Sequence, residues 1–155
     1  MLVLGLREKI MSNTQFAFIN QSDIPTREQL QGTIDQLGYD LKLDPELSLK
    51  DDEGFSPCIL KEEPDVGFEL FCESTTDVVE DDEEFEEMAN GKDTCITMSW
   101  GSSFKDCSCV LIVSYALMKG YDAITTYEGE DLDTLDSLQA GINEALDEAA
   151  KENNK

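Results

Sequence analysis

The sequence contains no histidine, and its 155 residues include only 11 lysines and arginines against 35 aspartates and glutamates. Without imidazole there can be no Ser-His-Asp triad, no His-ligated zinc and no histidine acid–base pair. The shortage of positive charge excludes a conventional nucleic-acid binder, because a net charge of −24 repels phosphate backbones and anionic membrane surfaces alike. There is no CxxC pair, no Rossmann glycine pattern and no Walker loop. No apolar run approaches the ~20 residues needed to cross a bilayer. Prolines number four and tryptophan one, yet a hydrophobic fraction of 40% still suffices for the core of one domain at this length.

At the N-terminus six apolar residues precede Arg7 and Lys9, the reverse of an export signal, which places its charges first. Residues 1–14 are expected to form an N-terminal extension, with Met11 as an alternative start, and residues 152–155 a flexible tail. The five cysteines (Cys58, Cys72, Cys95, Cys107 and Cys109) are odd in number and follow no framework spacing, as expected of reduced thiols in a cytoplasmic protein. Cys107 and Cys109 lie two apart, on nearly opposite sides of a helix, so they cannot share a metal. Cys58 beside Pro57 is the strongest reactive-thiol candidate, although no basic neighbour in sequence lowers its pKa.

Periodicity assigns the remaining elements. The FAFI run within residues 15–20 reads as a strand. Thr26 with Gln29 makes a capping box, and Leu30, Ile34 and Leu37 form one helical stripe that ends at Gly38. Residues 39–43 alternate as a half-buried strand. Residues 55–60 form another, with Pro57 demanding an edge or a bulge. Residues 62–67 have turn composition, and 68–72 make the returning strand. Residues 95–100 read as a strand, and Ser102 or Ser103 caps a helix running to Lys119 with Gly120 as its stop. The middle of that helix, residues 107–118, is apolar almost all round, as in a helix packed between layers. A last strand at 121–127 and a helix at 133–151 complete the chain. The fold expected is α+β: a mostly antiparallel sheet of about five to six strands with three helices, forming a single domain over residues 15–151.

Charge is concentrated in the middle of the chain. Residues 61–100 hold 14 acidic and 2 basic residues, a net −12 and half the total. Within residues 80–87, EDDEEFEE, seven of eight side chains are carboxylates and Phe85 alone interrupts them. Self-repulsion there predicts a solvated acidic loop over residues 73–93, with at most one short helical turn. A solubilising loop is one reading. A surface that mimics nucleic-acid phosphates and docks on a basic partner is another. A calcium loop is a third, but residues 131–136 begin that pattern and then break it, with leucine at the fifth position and aspartate where glycine belongs. Carboxylate pairs are too abundant to mark an acid–base site without a cleft, and Ser102-Ser103 lack the spacing of a nucleophile elbow.

Three segments also carry a resemblance. Gly54-Phe55-Ser56-Pro57-Cys58, Gly67-Phe68-Glu69-Leu70-Phe71 and Ile96-Thr97-Met98-Ser99-Trp100, ahead of the cysteine-containing helix, resemble a set of small uncharacterised acidic bacterial proteins over roughly residues 15–130. That resemblance implies no activity. More loosely, in size, acidity and single-domain build, the chain resembles immunity proteins of contact-dependent and polymorphic toxin systems, which bind and block a cognate toxin. This second resemblance transfers no functional residues. The expectation is a stoichiometric inhibitor of a basic partner, such as a bacterial nuclease toxin, with no enzymatic activity, cofactor, metal, nucleic acid or membrane of its own; the alternatives are a housekeeping or regulatory protein whose acidity serves solubility, and a small carboxylate-based ligand-binding or enzymatic domain. Glu80, Asp81, Asp82, Glu83, Glu84, Glu86 and Glu87 would supply the field and Phe85 an apolar anchor. Asp51, Asp52 and Glu53 form a second candidate contact.

Overall fold

Thr26 opens the first helix as its sequence predicts. In the computed structural model, which describes residues 13–152, its hydroxyl accepts from the Gln29 amide while the Gln29 side chain accepts from the Thr26 amide, and Gly38 closes the helix at φ 89°. The chain runs β1 (Asn13–Ile19), a 3-10 turn (Gln21–Asp23), α1 (Arg27–Leu37), β2 (Leu41–Leu43), β3 (Gly54–Leu60), β4 (Glu63–Ser74), α2 (Thr75–Val79), α3 (Glu83–Ala89), β5 (Thr94–Trp100), α4 (Phe104–Tyr121), β6 (Ile124–Tyr127) and α5 (Leu135–Glu152). All strands join one six-stranded sheet in the order β2-β3-β4-β5-β1-β6, and every neighbouring pair is antiparallel. The molecule is thus the single α+β domain expected, with five helices in place of three; the two additional helices arise from the acidic segment. The predicted extension at residues 1–14 is replaced at 13–14 by the start of β1; residues 1–12, and 153–155 of the predicted tail, lie outside the described residues.

One face of the sheet carries the main core. Ala17, Ile19, Phe68, Leu70, Ile96 and Met98 point from the strands toward Val110, Ile112, Val113, Ala116 and Leu117 of α4. This helix meets five of the six strands and is flanked by α1 and α5, which explains why it is apolar all round. Its two buried serines are satisfied internally: Ser108 and Ser114 each donate to the carbonyl four residues back, at 2.8 Å. The helix passes through Gly120, the expected stop, and ends one residue later at Tyr121, where Asp122 takes the left-handed cap at φ 58°.

Local chemistry explains the other departures. The hairpin between β3 and β4 turns on Lys61 and Glu62, both left-handed (φ 49° and 67°), so β4 begins at Glu63 and residues 63–67 of the expected turn are strand. Pro57 meets the edge condition set by its missing N–H, because β2 pairs only with Cys58–Leu60 and leaves Pro57 beyond its reach; the β3–β4 register shift lies after it, between Cys58 and Leu60. The short β2 is held by the buried Gln31 of α1, whose amide donates to Leu41 O and accepts from Leu43 N, both at 2.7 Å. Asp133, within the broken calcium-loop pattern, turns inward instead, where one oxygen accepts from Gln15 and Thr125 at 2.7 Å each and ties α5's approach to β1 and β6.

Candidate functional site: an acidic helical pair on the second sheet face

The second face of the sheet is where the acidic segment lies. It forms two short helices rather than the solvated loop expected. Ser74 caps α2 by accepting from the Asp77 amide, and Asp82 caps α3 by accepting from the Phe85 amide at 3.1 Å. Glu80 and Asp81 make the link between them in left-handed conformation, at φ 41° and 66°. The two ends of the segment are tied together, since the Thr75 amide and hydroxyl donate to the carbonyls of Asp93 and Lys92 at 3.0 and 2.7 Å.

Packing decides against the loop. Val79 and Ala89 are buried with Phe18 and Cys95 of the sheet, and Val78, Phe85 and Met88 pack around them with Phe16 and Ile124. The ring of Phe85 stands edge-on to both Phe16 and Phe18, with centroids 5.0 and 5.3 Å apart. It also lies against Gly129, where an added Cβ would sit 3.5 Å from the ring. Phe85, half-buried, anchors α3 to its own sheet. Repulsion among the carboxylates opposes compaction, but it is relieved when every acid points to water and the apolar minority alone faces inward.

Glu80, Asp81, Asp82, Glu83, Glu84, Glu86 and Glu87 are all exposed, and among the described residues none of them forms an ion pair. Lys92, the nearest cation along the chain, is taken by Asp122 at 2.7 Å. Glu73, Asp77, Glu80, Asp81 and Glu86 line an open hollow of about 670 Å³ together with Thr76 and Val79. Glu86 and Glu87 extend it into a second one with Glu83, Asn90 and Gly91. Among the described residues no group of three or more cysteines and carboxylates is placed to hold a metal ion. The acids therefore form a broad negative surface on a packed backbone.

The second candidate cluster is partly committed to structure. The Ser48 hydroxyl donates to Asp51 at 3.1 Å and the Ser48 amide to Asp52 at 2.8 Å, so both carboxylates fix the turn before β3, whereas Glu53 is exposed. The Cys72 thiol is raised first by burial and then by the nearby charges of Asp51 and Glu73. Glu73 points to the opposite face of β4 from Cys72 and lines the acidic hollow.

The thiols offer no reactive centre. All five are free. Cys58, the reactive candidate, is buried against the core. The neighbouring Cys109 thiol is pushed up, first by its hydrogen bond with Cys58 and then by burial. Burial moves Cys95 up to about 12 and Cys107 up to about 11. Ser103 caps α4, accepting from the amides of Lys105 and Asp106. Asp106 is raised by burial, but its carboxylate accepts the Gly67 amide at 3.0 Å and is thereby engaged in joining α4 to β4.

One surface feature escaped the sequence reading. On the second face, Phe55 is 58% exposed, Ile59 44% and Phe71 38%. The signal was present in residues 55–60, which are apolar on both alternating sets; the structure buries only the set Ser56, Cys58 and Leu60. Among the described residues no helix is long and apolar enough to cross a membrane. No family model, curated protein or solved structure matches the chain.

Proposed function

We propose that the protein is a stoichiometric protein-binding inhibitor of the immunity type, acting in the bacterial cytoplasm on a basic partner, with a nuclease toxin as the partner class that fits best. The observation that carries this reading is the row of unneutralised carboxylates on α3 and its link to α2, fixed in place by Phe85 and Val79. A pre-organised surface loses less entropy on binding than a flexible acidic tail does. Duplex DNA carries one charge per ~1.7 Å, and a nuclease cleft built for that density attracts a dense carboxylate surface. Docking there would occlude the substrate path without any chemistry by the inhibitor, and long-range attraction would speed the encounter.

The test is affinity capture from the source cell at about 50 mM salt and again at about 500 mM. The reading expects one basic protein, retained at low salt, weakened at high salt and inhibited at a one-to-one ratio. With that protein in hand, replacing Glu83, Glu84, Glu86 and Glu87 by glutamine should lower the association rate about tenfold and flatten its salt dependence. A partner indifferent to both salt and these substitutions would reduce the acidic surface to a solubility device.

A further inference from the structure

The sheet's second face is only half covered. Its cross-strand rows run Phe55–Glu69–Ser99–Thr14 and Phe71–Thr97–Phe16–Thr126, and a third joins Glu73, Cys95, Phe18 and Ile124. The helical pair α2–α3 sits over Phe16, Phe18, Cys95 and Ile124. Beyond it, Phe55, Pro57, Ile59 and Phe71 remain open to solvent on β3 and β4. The strip is rigid where it matters. The Phe55 ring lies over Gly67, where a Cβ would fall 2.8 Å from the ring and 2.2 Å from Ser56 O. Scattered exposed apolar residues need no explanation, but three large ones on one side of adjacent strands do.

We infer that this strip is the apolar centre of a protein-docking surface whose occupant is a basic partner presenting aliphatic or aromatic side chains ringed by lysine and arginine. The inference rests on the reading of α2–α3 as a surface for a basic protein, and it adds where the energetic anchor of that interface lies. Two observations select this occupant. First, the strip is rimmed along β4 by Glu69 and Glu73, both exposed on the same face, while Lys42, across from Ile59 at the other edge, is paired with Asp35 at 3.5 Å; Glu73 lies at once two residues from Phe71 and on the wall of the acidic hollow. One ligand can therefore touch the strip and the carboxylates together. Second, a second copy of this chain would bring −24 against −24, with Glu69 and Glu73 of each copy facing like charge. Interfaces draw most of their affinity from a few desolvated apolar anchors and use charge for steering, a division that Phe55, Ile59 and Phe71 complete, being more open than the half-buried Phe85.

The test uses the full chain and two synthetic amphipathic helical peptides of equal lysine content. One carries leucine and phenylalanine at i, i+3, i+4 and i+7; the other carries serine there. Binding is followed by fluorescence anisotropy at about 100 mM salt. The apolar-striped peptide should bind at least about tenfold more tightly, and Phe55→Ser with Phe71→Ser should remove that increment while leaving the serine peptide's affinity unchanged. Ile59→Ser gives an independent variant should the double substitution unfold. The quadruple glutamine variant of α3 should weaken both peptides by the same factor. Equal affinity for the two peptides, or an increment untouched by the serine variants, would overturn the inference and leave the acidic surface standing. Binding of neither peptide would overturn both. A concentration-dependent dimer in sedimentation, abolished by Phe55→Ser, would assign the strip to a second copy and also overturn it.

Discussion

The two faces of the sheet are covered by helices of opposite composition. On one lies α4, 18 residues long, with nine of them buried and a neutral, apolar middle. On the other lies α3, seven residues long, with four glutamates and only Ala89 fully buried. Both are held by the same physics. A helix docks when its apolar side chains share one side, whatever the rest carries, and Phe85, Met88 and Ala89 recur at i, i+3 and i+4. The difference lies in what each cover leaves facing water. The outer sides of α4 are hidden by α1 and α5, so the core face ends in packing. The outer side of α3 is bare carboxylate, so the second face ends in a field.

Substitutions should separate the two covers by size of effect. Leu117→Ala removes a fully buried side chain from the α4 core and should cost about 2–5 kcal/mol, read from the denaturation midpoint, with every region unfolding together. Phe85→Ala should cost less, about 2–3 kcal/mol given its partial burial, and its mark should be local. In that variant the Cys95 thiol beneath the helical pair should become accessible to a thiol reagent, while Cys109 in the core stays protected. Equal protection of both thiols would show that α2–α3 is not the cover of Cys95.

A smaller effect comes from pH, and it draws on both faces, through Cys95 under α3 and Cys107 on α4. Each folded thiol holds its proton above the ordinary value of 9.0, to about 12 and about 11. The unfolded chain ionises first, so the stability these two protons contribute is complete below pH 9 and is lost as pH rises from 9 toward about 11 for Cys107 and about 12 for Cys95, by at most about 1.4 kcal/mol per pH unit for each thiol. Urea midpoints at pH 8 and pH 10 check the sign, and Cys95→Ala should remove its share of the slope. The smallest effect on folding is expected at Glu84→Gln, within about 0.5 kcal/mol, because that carboxylate touches nothing the fold needs. Its consequence should appear in association rates with a basic protein instead.

How far the sequence could be read follows the same division. Where structure depends on nearby residues it was legible: the Thr26–Gln29 box, the Gly38 stop, the Ser103 cap and the layered burial of α4 all follow from local chemistry. The acidic helices were missed because seven carboxylates outweighed Phe85, whose partners Phe16 and Phe18 lie far away in sequence. The β3–β4 hairpin was legible but its turn was placed too late, because neither Lys61 nor Glu62 advertises a left-handed turn, while Pro64 and Gly67 give the following residues turn composition and are strand. The placement of β1 between β5 and β6 rests on long-range pairing that no local pattern encodes. The open strip around Phe55 became visible only once the sheet showed which alternating set was covered.

The central claim is that the acidic segment is a folded, sheet-anchored surface and not a solvated loop. Amide hydrogen exchange of residues 83–89 in the free protein tests it most directly. The account predicts measurable protection at the α3 amides of Glu87, Met88 and Ala89, lost on Phe85→Ala while β5 remains protected. Exchange of those amides at the rate of an unstructured peptide in the unsubstituted chain would contradict it.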